Sequence, residues 1–224
     1  MSHQYQGNKL KLAVHYCSKV NPWFTYFVSE RKKPDWRALF QIAYPQSGHF
    51  RTAQAAAAGF SNQLLRKHRL AGRFARPLRS VYRLVDVPPG EHDDLVALWL
   101  WSEEVGVFSH ETALALHELS DALPSRVHMT VPSSWARRTA VPRLLVLHHA
   151  NVPADDRTWV GSVPVTTVAR TLRDAVDAGV DPDLVAQAIA EGTARKLLKR
   201  SDLRGIVSPP QGRSRRSRRH GVVA

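Results

Sequence analysis

Apolar residues recur at helical spacing through Trp36, Leu39, Phe40 and Ala43, which predicts a first helix opening after Pro34-Asp35. The small-volume run Ala53 to Ala58, with Thr52 as its N-cap, predicts a second helix able to pack closely under a neighbour. Gly59 suits the left-handed residue that ends such a helix, and Phe60 suits a plug for the turn. Ser61 is expected to cap a third helix. On it Leu64, Leu65 and His68 take the inward side, while Asn62, Gln63, Arg66 and Lys67 share the outward face. Gly72 closes this helix. Phe74 on one side, and Val81, Tyr82 and Leu84 on the other, predict two strands around a Pro77-Leu78-Arg79-Ser80 turn. Helix, glycine turn, helix and two-stranded ribbon in that order predict a winged helix-turn-helix over residues 31–87.

Pro88-Pro89-Gly90 then breaks the pattern. Beyond it an apolar helix is expected over Asp93 to Trp101, and a second after Ser109, with Ala113, Leu114, Leu116 and Leu119 on its apolar side. Strands are expected over Val127 to Val131, Leu144 to His149 and Val163 to Val165. A helix capped by Thr166 or Thr167 should run to Ala178 and close at Gly179. A last one should start at Asp181-Pro182 and reach about Leu198. The expected fold class is therefore α+β: an N-terminal winged helix-turn-helix followed by a mixed α+β domain over 91–200. Residues 1–30 carry aromatics without periodicity. They read as a poorly structured leader, which either packs on the winged helix or reflects the choice of start codon, with Val28 as the alternative start. Residues 208–224 lack an apolar face and read as a disordered, Arg-rich tail.

Charge sharpens this picture. The net charge is +13, but residues 31–90 carry +10, residues 91–194 carry −8 and residues 195–224 carry +9. A basic first domain beside an acidic second one points to phosphate neutralisation by the first. Asn and Gln pair with adenine edges and Arg with guanine, so Asn62, Gln63 and Arg66 are the candidate base readers. Thr52, Ser61 and Lys67 are expected to set register on phosphates, and Arg73, Arg76 and Arg79 to serve the wing. Arg69 is a further phosphate contact, with a salt bridge at the edge of the core as its alternative. The single Cys17 leaves no internal disulfide framework and no multi-cysteine zinc site. The longest apolar run, Leu95 to Trp101, is too short to span a membrane, and a secretory pattern is missing at the start. The expected location is the cytoplasm.

Catalytic chemistry finds little footing. There are eleven histidines but no His-Glu-x-x-His spacing. His110 and His128 read as satisfied structural histidines, His148 and His149 as pointing to opposite faces of a strand, and neither a metal nor another cofactor is expected. A nuclease needs an Asp and a Glu-x-Lys pair converging on a divalent ion, and no such constellation is read here. Gly161-Ser162 lacks the paired carboxylates of a nucleotidyltransferase turn. A phosphate-cradling loop and a nucleophile elbow are likewise missing.

The segments Asp35-Trp-Arg-Ala-Leu-Phe-Gln-Ile-Ala43, Gly48-His-Phe-Arg-Thr-Ala-Gln54, Gly59-Phe-Ser-Asn-Gln-Leu-Leu65 and Arg79-Ser-Val-Tyr-Arg-Leu84 resemble the winged-helix domain of AbiEi-type antitoxins. Phe108 to His117, Val127 to Pro132 and Val163 to Leu172 resemble segments that follow it in actinobacterial members. The resemblance implies a DNA-binding autorepressor acting on an inverted repeat at its own promoter. It also implies an antitoxin that neutralises a nucleotidyltransferase-type toxin encoded nearby, in a scheme that does not require a stable complex. Some relatives carry a Vsr-like endonuclease domain instead. The first thirty residues and the tail match nothing in the family. The rival readings are an effector-responsive winged-helix repressor and a DNA-processing enzyme.

Overall fold

The computed structural model describes residues 33–136 and 140–207; the leader 1–30 and the tail 208–224 lie outside the described residues. Helix α1 (Trp36–Ala43) opens at Asp35, whose Oδ1 accepts the Ala38 N–H at 3.0 Å. A short 3-10 turn leads into β1 (His49–Arg51), then α2 (Thr52–Ala57), α3 (Asn62–Leu70), β2 (Phe74–Leu78) and β3 (Val81–Leu84). The three strands form one antiparallel sheet in the order β1-β3-β2, with Phe50 opposite Tyr82 and Phe74 opposite Leu84. This is a winged helix. Phe50, Phe60, Phe74, Leu39 and Leu65 form its core. Trp36 covers that core, with its ring edge-on to those of Phe60 and His68.

The chain then forms α4 (Asp93–Trp101), β4 (Val107–Phe108), α5 (His110–Leu116), β5 (Val127–Val131), β6 (Leu145–His149), β7 (Arg157–Val160) and β8 (Val163–Thr166). Helices α6 (Val168–Ala178), α7 (Pro182–Ala194) and α8 (Arg200–Val207) complete the described residues. The second sheet runs β6-β5-β4-β8-β7, with β6 parallel to β5, β4 parallel to β8, and the other pairs antiparallel. One core lies between α4 and this sheet, and another lies among α5, α6, α7 and α8. From Asp35 onward the described residues form one compact unit. Val81 of the winged helix is fully buried in the core that α4 makes with the second sheet, and Leu78 packs against it. Arg83 pairs with Asp93 at 2.9 Å across the Pro-Pro-Gly break.

Several expected details change. Thr52 is not the N-cap but the first residue of α2; Arg51 holds the cap position, and its N–H donates to Gln54 Oε1 at 2.7 Å. Thr52 is instead tied to the hairpin, because its N–H and its hydroxyl both donate to the Ser80 carbonyl. Pro77 and Leu78 belong to β2, so the tip is only Arg79-Ser80, with Ser80 left-handed at φ 68°. The register shifts between Ala75 and Leu78, around the proline that cannot donate a ladder hydrogen bond. Leu119 is buried but lies beyond the end of α5. Helix α7 stops at Ala194, short of the expected Leu198, and α8 follows it.

Candidate nucleic-acid interface

The outward face of α3 is built from the capping chemistry upward. Gly59 takes φ 85°, the Phe60 N–H reaches the Ala55 carbonyl, and the turn delivers Ser61 as N-cap, with its Oγ accepting from the Leu64 N–H at 3.3 Å. Leu65 and His68 turn inward and are buried. That fixes the rotation of the helix, so Asn62, Gln63, Arg66, Lys67 and Arg69 are exposed. None of these five side chains makes a hydrogen bond or an ion pair to the described residues. Buried His68 registers the local field: burial, then the positive charges of Arg73 and Lys67, holds its ring below the usual histidine range.

The helix ends at Gly72, φ 72°, with the Arg73 N–H donating to the His68 carbonyl. Arg73 is exposed beside this turn, and Arg79 is exposed at the hairpin tip. Arg76 lies along β2 with its guanidinium 5.6 Å from the centroid of the Tyr82 ring. The fold therefore brings Asn62, Gln63, Arg66, Lys67 and Arg69 onto one surface and sets Arg73 at its edge. Ser61 spends its oxygen on the cap. Thr52 spends its hydroxyl on Ser80, so of the ten predicted site residues it is the most committed to the fold.

Sequence reasoning missed two things nearby. Arg51 lies beside α2 and is held by Glu104 at 3.2 Å, while Gln54 Nε2 donates to the same carboxylate at 3.0 Å. Only the tertiary packing of α4 brings Glu104 there. The second is the meeting of His110, His128 and His148, three histidines from separate segments, in the other half of the unit. In addition, the sequence contains one Glu-x-Lys triplet, Glu30-Arg31-Lys32, where none was expected; it lies outside the described residues.

A three-stranded winged helix whose third helix presents free amide and cationic side chains defines a winged helix-turn-helix fold. Residues 37–85 match the family described as "Transcriptional regulator, AbiEi antitoxin", in agreement with the resemblance carried by this segment. The crystal structure of the RV2827C protein from Mycobacterium tuberculosis is similar in fold, with a TM-score of 0.50 and 16% identity, covering 78% of this chain and 71% of that one. A search of curated proteins found no match. Among the described residues, no helix is long and apolar enough to cross a membrane.

Proposed function

We propose that this chain is a DNA-binding autorepressor and antitoxin, with α3 as the helix that enters the major groove. The observation that carries the reading is the unpartnered outward face of α3. Buried polar groups must find partners within a fold, whereas amide and guanidinium groups left free on one helix face are matched to base edges and phosphates. In this reading Asn62, Gln63 and Arg66 contact bases, while Lys67, Arg69 and Arg73 contact phosphates. Ser61 and Thr52 hold the register, the latter through its position rather than its hydroxyl, and Arg76 and Arg79 supply the short wing. The half beyond residue 91 serves protection from a nucleotidyltransferase-type toxin.

Footprinting on the chain's own promoter tests the first part. Protection of an inverted repeat supports it, because two copies of one helix-turn-helix read two half-sites. Sequence-independent coating of DNA overturns it. Co-expression with the toxin tests the second part. A full-length chain carrying Gln63→Ala and Arg66→Ala should lose repression and still restore growth. Failure of the unaltered chain to restore growth overturns the antitoxin reading while leaving the repressor reading intact.

A further inference from the structure

His128 on β5 and His148 on β6 stand on neighbouring parallel strands. The register pairs Thr130 with His148, two residues on from His128, so the two rings share a sheet face. His128 Nδ1 and His148 Nε2 are 3.1 Å apart. The third ring comes from another direction. Strand β4, which pairs with β5, ends at Phe108, and His110 opens α5 with a left-handed backbone at φ 55°. Its ring stacks on that of His148, with centroids 3.7 Å apart. One ring nitrogen from each histidine lies within 4.8 Å of the other two.

We propose that His110, His128 and His148 form a binding site for one divalent transition-metal ion of the zinc type. Four features support it. First, a ring that ligates through one nitrogen needs a partner for the other. His128 Nε2 lies 3.2 Å from Glu111 Oε2, and His110 Nδ1 lies 2.9 Å from Ser109 Oγ, itself 2.7 Å from Thr130 Oγ1. These contacts leave His128 Nδ1 and His110 Nε2 as the ligand atoms. Second, the ion takes the place of the proton shared by His128 and His148, and His148 then carries its proton on Nδ1. Third, the left-handed backbone of His110 is a strained conformation for a side-chain-bearing residue, of the sort that concentrates at sites. Fourth, the cluster borders a cleft that His149, Arg170 and Asp174 also line, so solvent has access to complete a tetrahedral shell. Tetrahedral ligands at about 2.0–2.1 Å from zinc sit closer together than 4.8 Å, and parallel stacked rings aim their ligand nitrogens side by side rather than at one point, so closure requires the His110 ring to swing out of its stack on His148.

The test uses the full chain, stripped with a chelator and then titrated with Zn²⁺ by calorimetry and with Co²⁺ by visible absorption. One ion per chain, a four-coordinate Co²⁺ spectrum without a thiolate band and a raised Tm are expected. His148→Gln and His128→Gln should each abolish that spectrum, and His149→Gln should preserve it. Glu111→Gln should weaken affinity by about 10–100-fold, as loss of a ligand-orienting carboxylate does. No Co²⁺ spectrum in the unaltered chain overturns the proposal whatever the variants do. So does a spectrum that survives His128→Gln, or one with a Cys17 thiolate band.

Discussion

On α3, Arg66, Lys67 and Arg69 are exposed and make no ion pair with the described residues. On α6, Arg170 donates to Asp174 at 2.8 Å and to Asp156 at 3.0 Å, and Arg173 reaches the same Asp156 at 3.1 Å. The same residue types serve opposite ends. In the second half the cations neutralise carboxylates and knit α6 to the 3-10 turn before β7. On α3 they are left to repel one another, a cost of roughly tenths of a kcal/mol per helical like-charge pair. A fold tolerates that without internal compensation when the compensation comes from outside. Under the proposed reading, the charge of residues 31–90 serves as a surface for an anion rather than as a solubilising one.

The largest effect should come from breaking the paired side. Arg170→Ala leaves Asp174 without its cation, while Asp156 keeps only Arg173. Burial already holds the Asp174 carboxyl above the usual range, and its Oδ2 is buried without a hydrogen-bond partner. Stability should fall by roughly 2–3 kcal/mol, read as a lowered denaturation midpoint at unchanged m-value. DNA affinity of the folded protein should be unaffected. A stability change below about 0.5 kcal/mol would show that this network is ordinary surface pairing.

The complementary change touches the free side. Gln63→Ala with Arg66→Ala should leave the unfolding midpoint almost unmoved and weaken specific DNA binding by about 1–3 kcal/mol for each base-reading side chain removed. Competition with non-operator DNA checks it. An equal fall in specific and non-specific binding would assign both side chains to phosphates.

What the sequence made legible follows the range of the forces involved. The inward and outward sides of α3 are set by residues within one helix, so Leu65 and His68 inside and Arg66 outside follow from spacing alone. Strand β7 was missed because its residues Arg157 to Val160 alternate between exposed and half-buried, with Trp159 outward, and only pairing with β8 makes them a strand. Two-residue β4 has no period to detect. Thr52 was misplaced because its partner, the Ser80 carbonyl, is remote in sequence. The histidine cluster fails for the same reason: His110 and His128 look structural one by one, and only the strand order brings them together with His148.

A third effect is read in salt rather than in stability. Residues 208–224 carry arginines without an apolar face. Their removal should lower the salt dependence of DNA binding by about 0.9 in log–log slope for each phosphate that the tail neutralises, while operator preference persists. Loss of preference on truncation would mean that the tail reads a groove.

The smallest effect probes the more exposed of the two places, among the described residues, where an acidic residue of the second half holds a cation of the winged helix. Glu104 accepts from both Arg51 and Gln54, and the Arg51–Glu104 pair is part-exposed on both sides, at 24% and 36%. Such a pair contributes about 0–1 kcal/mol, so Glu104→Gln should barely move the denaturation midpoint. The consequence for DNA is different in kind. Arg51 sits at the start of α2, within the basic winged helix. Freed from Glu104, its guanidinium can take a phosphate. The expected outcome is tighter non-specific binding and a salt slope steeper by about 0.9, with sequence preference unchanged. An unchanged slope would place Arg51 away from the bound backbone. The second half would then restrain nothing on the DNA-facing side, and the contrast between free and paired cations would stop at α3.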